Sequence, residues 1–357
     1  MLDRSPRILI AAGGTGGHIF PAMAVANELM QRGVDVRWLG TPGSMEARLV
    51  PQQGLEIDLV QMKGVRGKGV LQLLKAPFMV ARALWQALAL LRRFQPDCVL
   101  GMGGYVTAPA GMAAKLLGIP LVIHEQNAVA GMSNRLLSKI SSRTLEAFEG
   151  TFTGLNNRIC TGNPVRQDIA SLEHLPLEES LRVLVVGGSL GALAINQVMP
   201  EALKLVEPGC KIKVWHQTGQ RDCERSMASY RDNHLEARVE PFIEDMAAAY
   251  SWADLVICRA GALTIAELAC AQLPSILVPF PFAVDDHQTA NARHLSDRGA
   301  AVLLPQNEMT KERVAALLTD FASHREQLKR MAAAASTAAR VDATRIVTHQ
   351  CLEVAHA

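Results

Sequence analysis

His18 closes the run Gly13-Gly14-Thr15-Gly16-Gly17, directly after the mostly apolar stretch Arg7 to Ala12. An apolar run, a glycine turn and an amphipathic stretch read as a buried strand feeding a helix N-terminus. Such a terminus attracts phosphate and disfavours a cationic imidazole, so a histidine there can accept a proton from a sugar or alcohol hydroxyl. The alternative role is a structural histidine that caps the loop. His124-Glu125-Gln126-Asn127 follows another apolar run, and four hydrogen-bonding side chains at a strand's carboxyl end require a ligand or a tight turn. Asn127 suits holding an acceptor hydroxyl. Glu125 suits either orienting that acceptor or shaping the turn, and Arg166 of Asn163-Pro164-Val165-Arg166 either clamps a diphosphate or pairs across a hinge.

A second group lies further on. Ala262-Leu263-Thr264 ends the turn that begins at Arg259, and Glu267 sits one turn into the following helix. There a carboxylate can accept both hydroxyls of a ribose while the turn amides face phosphate, or simply favour the helix dipole from the surface. Asp285-Asp286-His287-Gln288 is placed to read sugar hydroxyls. Adjacent acids do not converge easily on one ion, so no metal is assigned and a divalent requirement is not established by the motif. An ATP-hydrolysing P-loop is absent, the first loop lacks the GxGxxG spacing, and Trp38-Leu39-Gly40 stands where a nicotinamide site expects an acid. A general base, two phosphate-friendly loops and ribose and sugar readers together describe transfer from a nucleotide sugar to a hydroxyl. Such a transfer needs no covalent intermediate, and single displacement inverts the anomeric carbon.

The elements that must position these groups are written twice. Leu181 to Val186 runs into Gly187-Gly188-Ser189-Leu190-Gly191-Ala192, a copy of the first loop without its histidine. Asp97 is echoed by Asp254 and Pro120 by Pro274, at offsets that enlarge the first copy by about 17 residues. Strands are expected at 7–12, 34–39, 97–100, 120–123 and 158–161, then at 181–186, 211–215, 236–240, 254–258 and 275–279. Their continuous apolarity marks parallel strands buried on both faces. The predicted fold is α/β, with two Rossmann-like parallel-sheet domains facing across a cleft. The domains expected are 1–163 for acceptor and membrane, 164–340 for the donor, and a last helix at 341–357 crossing back to the first.

Hydrophobic residues make up 49% and charged residues 20% of the chain, as in a soluble globular protein. Seven scattered cysteines argue against a disulfide framework and a zinc site. With no leader and no bilayer-spanning stretch, a cytoplasmic protein is expected. Residues 1–166 carry 18 Lys and Arg against 10 Asp and Glu, while the remainder carries 18 against 24. No acid occurs between Asp58 and Asp97, where Lys63, Arg66, Lys68, Lys75, Arg82, Arg92 and Arg93 gather. Beside them Phe78, Ala81, Trp85, Leu88 and Leu91 recur at helical spacing. The segment 63–93 is either a packed helix with a solvated basic face or a patch for an anionic membrane that presents a lipid substrate.

Taken in order, Gly13 to His18, Gly101-Met102-Gly103-Gly104-Tyr105, His124 to Asn127, Gly162 to Arg166, Gly187-Gly188-Ser189 and Ala262 to Thr264 with Glu267 resemble the MurG family. These are the bacterial UDP-N-acetylglucosamine:N-acetylmuramyl-(pentapeptide) pyrophosphoryl-undecaprenol N-acetylglucosamine transferases of the GT-B superfamily, and the resemblance runs from about residue 7 to about 350. It implies the donor UDP-N-acetylglucosamine, the polyprenyl-diphosphate acceptor lipid I, the products lipid II and UDP, and no tightly bound cofactor. It places His18 as the base on the 4-hydroxyl of N-acetylmuramic acid. Thr15, Gly16, Gly17, Gly103, Gly104, Tyr105, Glu125 and Asn127 fall on the acceptor side, with Asn127 also reaching the donor. Arg166, Ser189, Ala262, Leu263 and Thr264 surround the donor diphosphate, Ile243 meets uracil through its backbone, Glu267 binds ribose, and Gln288 reads the donor sugar. Relatives often carry Gln-Gln where this chain has His287-Gln288. His287 can donate the same bond while adding pH sensitivity.

The resemblance further implies peripheral attachment at the cytoplasmic face of the bacterial inner membrane, with room for cell-wall and division proteins as partners. The rivals are another GT-B glycosyltransferase, a UDP-sugar epimerase, or a membrane or nucleic-acid scaffold. The last would leave the second-half glycines and carboxylates without a task and lacks aromatic interleaving, so no nucleic-acid partner is expected.

Overall fold

The computed structural model describes residues 4–62, 70–176, 178–188 and 191–356, with backbone alone over 70–76. Lys63 to Gly69, the side chains of Leu71, Leu73, Leu74 and Lys75, and Ser189 lie outside the described residues. The chain divides into two compact units, Met1–Arg166 with Val341–Ala357, and Gln167–Arg340.

The first unit runs β1 (Arg7–Ala11), α1 (Gly16–Gln31), β2 (Asp35–Gly40), α2 (Met45–Gln52), β3 (Glu56–Leu59), α3 (Val70–Phe94), β4 (Cys98–Gly101), α4 (Thr107–Leu116), β5 (Leu121–Glu125), α5 (Met132–Leu137), β6 (Arg143–Glu146) and β7 (Arg158–Cys160). The second runs α6 (Gln167–Ala170), β8 (Leu181–Val186), α7 (Leu193–Leu203), β9 (Ile212–Gln217), α8 (Cys223–Asp232), β10 (Ala237–Glu240), α9 (Met246–Trp252), β11 (Leu255–Cys258), α10 (Ala262–Cys270), β12 (Ser275–Leu277), α11 (His287–Ser296), β13 (Ala301–Leu303), α12 (Lys311–Ser323) and α13 (Arg325–Ala338). Helix α14 (Ala343–His356) returns to the first unit, where Val347, Cys351 and Val354 pack among Ile8, Ile10 and Leu29.

Both sheets are parallel, in the orders β3-β2-β1-β4-β5-β6-β7 and β10-β9-β8-β11-β12-β13. Strand β1 shows why a continuous apolar run is needed: Ile8 and Ile10 pack on the α1 and α14 side, while Leu9 and Ala11 pack with α3 and α4. Strands β3, β6 and β13 were not expected. Glu56–Leu59 is half exposed at a sheet edge and the other two are three or four residues long, too short for a period to show.

The echoed aspartates do one job twice. Asp97 accepts the backbone N–H of Arg7 at 2.8 Å, and Asp254 accepts that of Arg182 at 2.9 Å, so each ties the start of one central strand to the next. The Arg7 carbonyl accepts in return from the Asp97 N–H, and the Arg182 carbonyl from that of Asp254. In the second unit the pair is deep: Arg182 is 1% exposed, and its guanidinium and that of Arg325 lie 2.7 and 2.8 Å from the Asp254 carboxylate.

Helix α3 corrects the expected stripe. Phe78 and Trp85 are 79% and 70% exposed, whereas Ala83, Ala87, Leu90, Leu91 and Phe94 are buried. Small Ala83 and Ala87 let α3 settle against α4, which turns Phe78, Arg82, Trp85 and Arg92 outward on the opposite face. Among the described residues no helix is long and apolar enough to cross a membrane.

Burial pushes the Asp254 carboxyl up, but hydrogen bonds from Arg182 and Arg325 outweigh it and hold the group below its ordinary value. A carboxylate depressed on folding stabilises above the ordinary aspartate range and loses that contribution as pH falls through the lowered folded value. Asp254→Asn should therefore cost about 3 kcal/mol at neutral pH in urea unfolding, the scale of a broken buried pair, with the difference shrinking in acid.

Candidate active site

In each sheet the strand order reverses beside the central strand, between β1 and β4 and between β8 and β11, and ligands of open α/β sheets collect beyond such a point. The loops after β1 and β4 meet there. Gly13 donates to the Gly103 carbonyl at 3.3 Å, and the Thr107 hydroxyl donates to the carbonyls of Ala11 and Gly103 at 3.0 and 2.7 Å. Gly104 has φ +87° and a Cβ there would stand 2.2 Å from the Gly13 oxygen, so both geometry and space demand glycine. The Trp38 indole, where a nicotinamide site would carry an acid, donates to the Ala12 carbonyl at 2.9 Å. Glu46, fully buried, accepts from Gly14 N at 3.3 Å, Thr41 N at 3.1 Å and the Thr41 hydroxyl at 2.9 Å. Burial pushes its carboxyl up, yet hydrogen bonds from backbone amides, Ser44 and Thr41 prevail and hold it below the ordinary range. Nothing in the spacing of Glu46 announced this support.

His18 lies in the first turn of α1, whose leading Thr15 carbonyl accepts from His18 N and Ile19 N at 3.0 and 3.2 Å. Its ring is packed so closely on the neighbouring loop that a Cβ at Gly103 would come within 2.6 Å of Nδ1. That Nδ1 is 2.8 Å from Gln126 Oε1, Gln126 Nε2 is 3.0 Å from His124 Nδ1, and His124 Nε2 is 2.9 Å from the Gly162 carbonyl. Thr15, Gly16 and Gly17 share this helix start, and Tyr105 stands 51% exposed just past Gly104. Glu125 is 2% exposed; its Oε1 accepts from Asn127 N and Nδ2 at 3.0 and 3.2 Å, and its Oε2 from Gly131 N and Asn134 Nδ2 at 3.0 and 2.9 Å. These bonds shape the turn and set the Asn127 amide. Arg166 is half-buried at the last residue of the first unit's main segment.

In the second unit Gly187 and Gly191 approach the backbone as Gly104 does; a Cβ on Gly191 would stand 2.2 Å from the Thr218 carbonyl oxygen. Gln217, only 3% exposed, accepts from Gly188 N and donates to the carbonyls of Gly188 and Pro241, each at 3.0 Å. It thereby joins the glycine loop to the Pro241-Phe242-Ile243 segment. Ile243 is 3% exposed, so its side chain belongs to the core. Helix α10 starts at Ala262, with Leu263 and Thr264 in its first turn and Gly261 ahead of it in extended backbone. Asn291 donates to the Ala260 carbonyl at 3.2 Å, and the buried Tyr250 hydroxyl donates to Glu267 at 3.0 Å. Gln288 accepts from Phe280 N at 2.9 Å through its side-chain oxygen. His287 donates from Nδ1 to the Val284 carbonyl at 2.7 Å, which leaves Nε2 an acceptor in the neutral ring and a donor only in the imidazolium. Ahead of it, Asp285 and Asp286 hold φ of 53° and 49°, an unusual pair of left-handed non-glycine residues. Among the described residues no three His, Cys, Asp or Glu side chains form a group able to hold a metal ion.

Two family models match the chain, the glycosyltransferase family 28 N-terminal domain over residues 8–145 and the family 28 C-terminal domain over 182–346. Two proteins named UDP-N-acetylglucosamine–N-acetylmuramyl-(pentapeptide) pyrophosphoryl-undecaprenol N-acetylglucosamine transferase are similar over nearly their whole length. That of Marinobacter nauticus is 52% identical, covering 98% of each chain, and that of Ectopseudomonas mendocina is 54% identical, covering 97% of this chain and 98% of the relative. The crystal structure of Acinetobacter baumannii MurG is similar with a TM-score of 0.82 at 43% identity, covering 98% of this chain and 99% of that one. A UDP-GlcNAc 2-epimerase from Neisseria meningitidis shares the fold alone, with a TM-score of 0.69 at 15% identity over 97% of this chain and 100% of the other.

If Glu46 holds the first loop, Glu46→Ala should lower stability by about 1–3 kcal/mol, the cost of buried donors left unmet. The Gly14 and Thr41 amides should exchange hydrogen faster in the variant, and unchanged exchange at Gly14 would show that the loop stands without this carboxylate.

Proposed function

The chain belongs to glycosyltransferase family 28 and, within it, to the UDP-N-acetylglucosamine–N-acetylmuramyl-(pentapeptide) pyrophosphoryl-undecaprenol N-acetylglucosamine transferases, and from that premise we infer how its residues divide the reaction. It is an enzyme of the GT-B class that transfers N-acetylglucosamine from UDP-N-acetylglucosamine to lipid I, giving lipid II and UDP for peptidoglycan synthesis. Near-full-length identity above one half carries that statement.

The division of residues is our reading. The acceptor 4-hydroxyl oxygen forms its bond to the anomeric carbon as the carbon's bond to diphosphate breaks. The electron pair leaves with UDP and the hydroxyl proton passes to His18. What supports His18 as the base is its place: it is held at a helix start over the first glycine loop, where the second copy has Ala192. The helix-start amides near Thr15, Gly16 and Gly17, with Gly103, Gly104 and Tyr105 beside them, receive the acceptor. Asn127, aligned by Glu125, contacts its hydroxyl and reaches the donor. In the second unit the loop Gly187 to Ala192, including Ser189, and the α10 start at Ala262 to Thr264 take the diphosphate with Arg166. The buried Ile243 side chain favours uracil recognition by backbone groups. Glu267, steadied by Tyr250, takes the ribose, and Gln288, its oxygen held by Phe280 N, turns its amide donor to the sugar.

Lipid I is anchored in a bilayer, so the enzyme must work at one. We place the contact on the outward face of α3, where Phe78, Arg82, Trp85 and Arg92 present aromatic rings and cations together, against an anionic surface at the cytoplasmic face of the inner membrane. Arg93 is instead engaged by Asp58 at 2.7 Å.

His18→Ala should lower turnover by about 10²- to 10⁴-fold, the usual worth of a positioned base, with UDP binding by calorimetry unchanged. Near-normal turnover on a soluble acceptor analogue would remove His18 from that role. Combining Trp85→Ala with Arg82→Glu and Arg92→Glu should weaken sedimentation with anionic vesicles while turnover on the soluble analogue persists; equal sedimentation of variant and parent would refute the placement.

A further inference from the structure

The side chains His18, Gln126 and His124 form a hydrogen-bonded row that ends on a backbone carbonyl, and only one arrangement of protons satisfies it. The Gly162 oxygen accepts only, so the His124 Nε2 that lies 2.9 Å from it carries a proton. His124 is completely buried, and burial pulls its pKa down to about 4, so the ring is neutral and its Nδ1 is a lone pair. That lone pair needs a donor, and the Gln126 amide nitrogen supplies it at 3.0 Å. The same nitrogen lies 3.3 Å from the His124 main-chain oxygen, a second group that can only accept. Reversing the amide would set its oxygen against both acceptors in a site where Gln126 is 1% exposed. The orientation of Gln126 therefore rests on two independent acceptors. Its remaining oxygen faces His18 Nδ1 at 2.8 Å, and an oxygen there requires a proton on that nitrogen.

We propose that Gln126 and His124 are positioning residues that lock His18 in the tautomer protonated at Nδ1, so that Nε2 holds the lone pair that takes the acceptor proton. The inference rests on the reading of His18 as the base and supplies what that reading lacks, the reason one ring nitrogen and not the other is basic. A histidine without such a partner favours the Nε2-protonated form, which has no lone pair on the outer nitrogen. The close packing of Gly103 on the ring keeps it from swinging away from Gln126. When Nε2 gains the proton, Nδ1 keeps its own and Gln126 keeps accepting it. The row thus needs no rearrangement during transfer, and both states of His18 are held in one geometry.

The test is the imidazole nitrogen spectrum of the full chain labelled with ¹⁵N-histidine, recorded where the rings are neutral, with the His18 signals assigned by their loss in His18→Ala. The expected spectrum shows Nδ1 protonated and Nε2 unprotonated. Gln126→Met, which keeps volume and removes both ends of the bridge, should shift His18 to the Nε2-protonated form. Its kcat should fall on the order of 10- to 100-fold with the UDP-N-acetylglucosamine KM unchanged, by analogy with metal-binding histidines that lose the partner orienting their second ring nitrogen. An Nε2-protonated His18 in the unaltered protein, or a Gln126→Met enzyme with full kcat, overturns the proposal. Should Gln126→Met fail to fold, the unaltered protein's spectrum alone decides. Retained turnover in His18→Ala would instead overturn the base reading, and an Nδ1-protonated His18 in that case would still uphold the lock, so the two failures are distinct.

Discussion

Between Gly13 and Gly104 there is no room for a single carbon: a Cβ on the latter would stand 2.2 Å from the former's oxygen. That approach brings the ends of β1 and β4 together at the reversal of the strand order, and it sets the path of the chain on both sides. On one side it delivers the α1 start, with His18 in its first turn. On the other it leaves Gly103 flat beneath the imidazole. A side chain at either glycine would push the loops apart, and His18 would then lose its contact with Gln126, which sits just past the end of β5. The geometry of His18, the base we propose, is thus a consequence of backbone packing before any side chain is considered.

The second unit uses the same device to another end. Gly191 approaches Thr218 as closely as Gly104 approaches Gly13, and Gln217 binds the loop in place from below. Yet the residue matching His18 is Ala192, which carries no proton acceptor. A duplicated strand, turn and helix supplies two anion-friendly helix starts, and in the division of roles we propose, one difference at the sixth loop position separates the half that activates a hydroxyl from the half that holds a leaving diphosphate. The Asp97 and Asp254 ties show the same inheritance at the other end of the strands, each accepting a backbone N–H from the start of its central strand, that of Arg7 in β1 and of Arg182 in β8.

What was legible in the sequence follows from range. Glycine loops, apolar strands and the echoed aspartates are local signals, because a strand buried on both faces must be apolar and a turn at positive φ must spare a side chain. The two sheets could be read that way, whereas the return of the last helix rests on Val347, Cys351 and Val354 packing among β1 and α1 side chains, a contact that no local signal announces. Glu46, Gln217 and the bridge through Gln126 could not, since each acts on at least one residue 24 or more positions away through hydrogen bonds that exist only once the strands are in register. The outward turn of Phe78 and Trp85 was hidden for a related reason: spacing shows that they share a face, but which face is buried depends on Ala83 and Ala87 fitting α4.

The choice of an amide as the partner of His18 has its own logic. A carboxylate at position 126 would accept from Nδ1 equally well, but it would turn a second acceptor toward the lone pair of the neutral His124 and the carbonyl behind it. It would also place a buried charge beside Glu125, whose carboxylate is already engaged by four donors. Glutamine has one end of each kind, so it can link a ring that must donate to a ring that must accept without adding charge. In the role we propose for His18, its acceptor nitrogen is then defined by a neutral row anchored on the Gly162 carbonyl, and its orientation holds through the transfer because Gln126 accepts the same proton before and after.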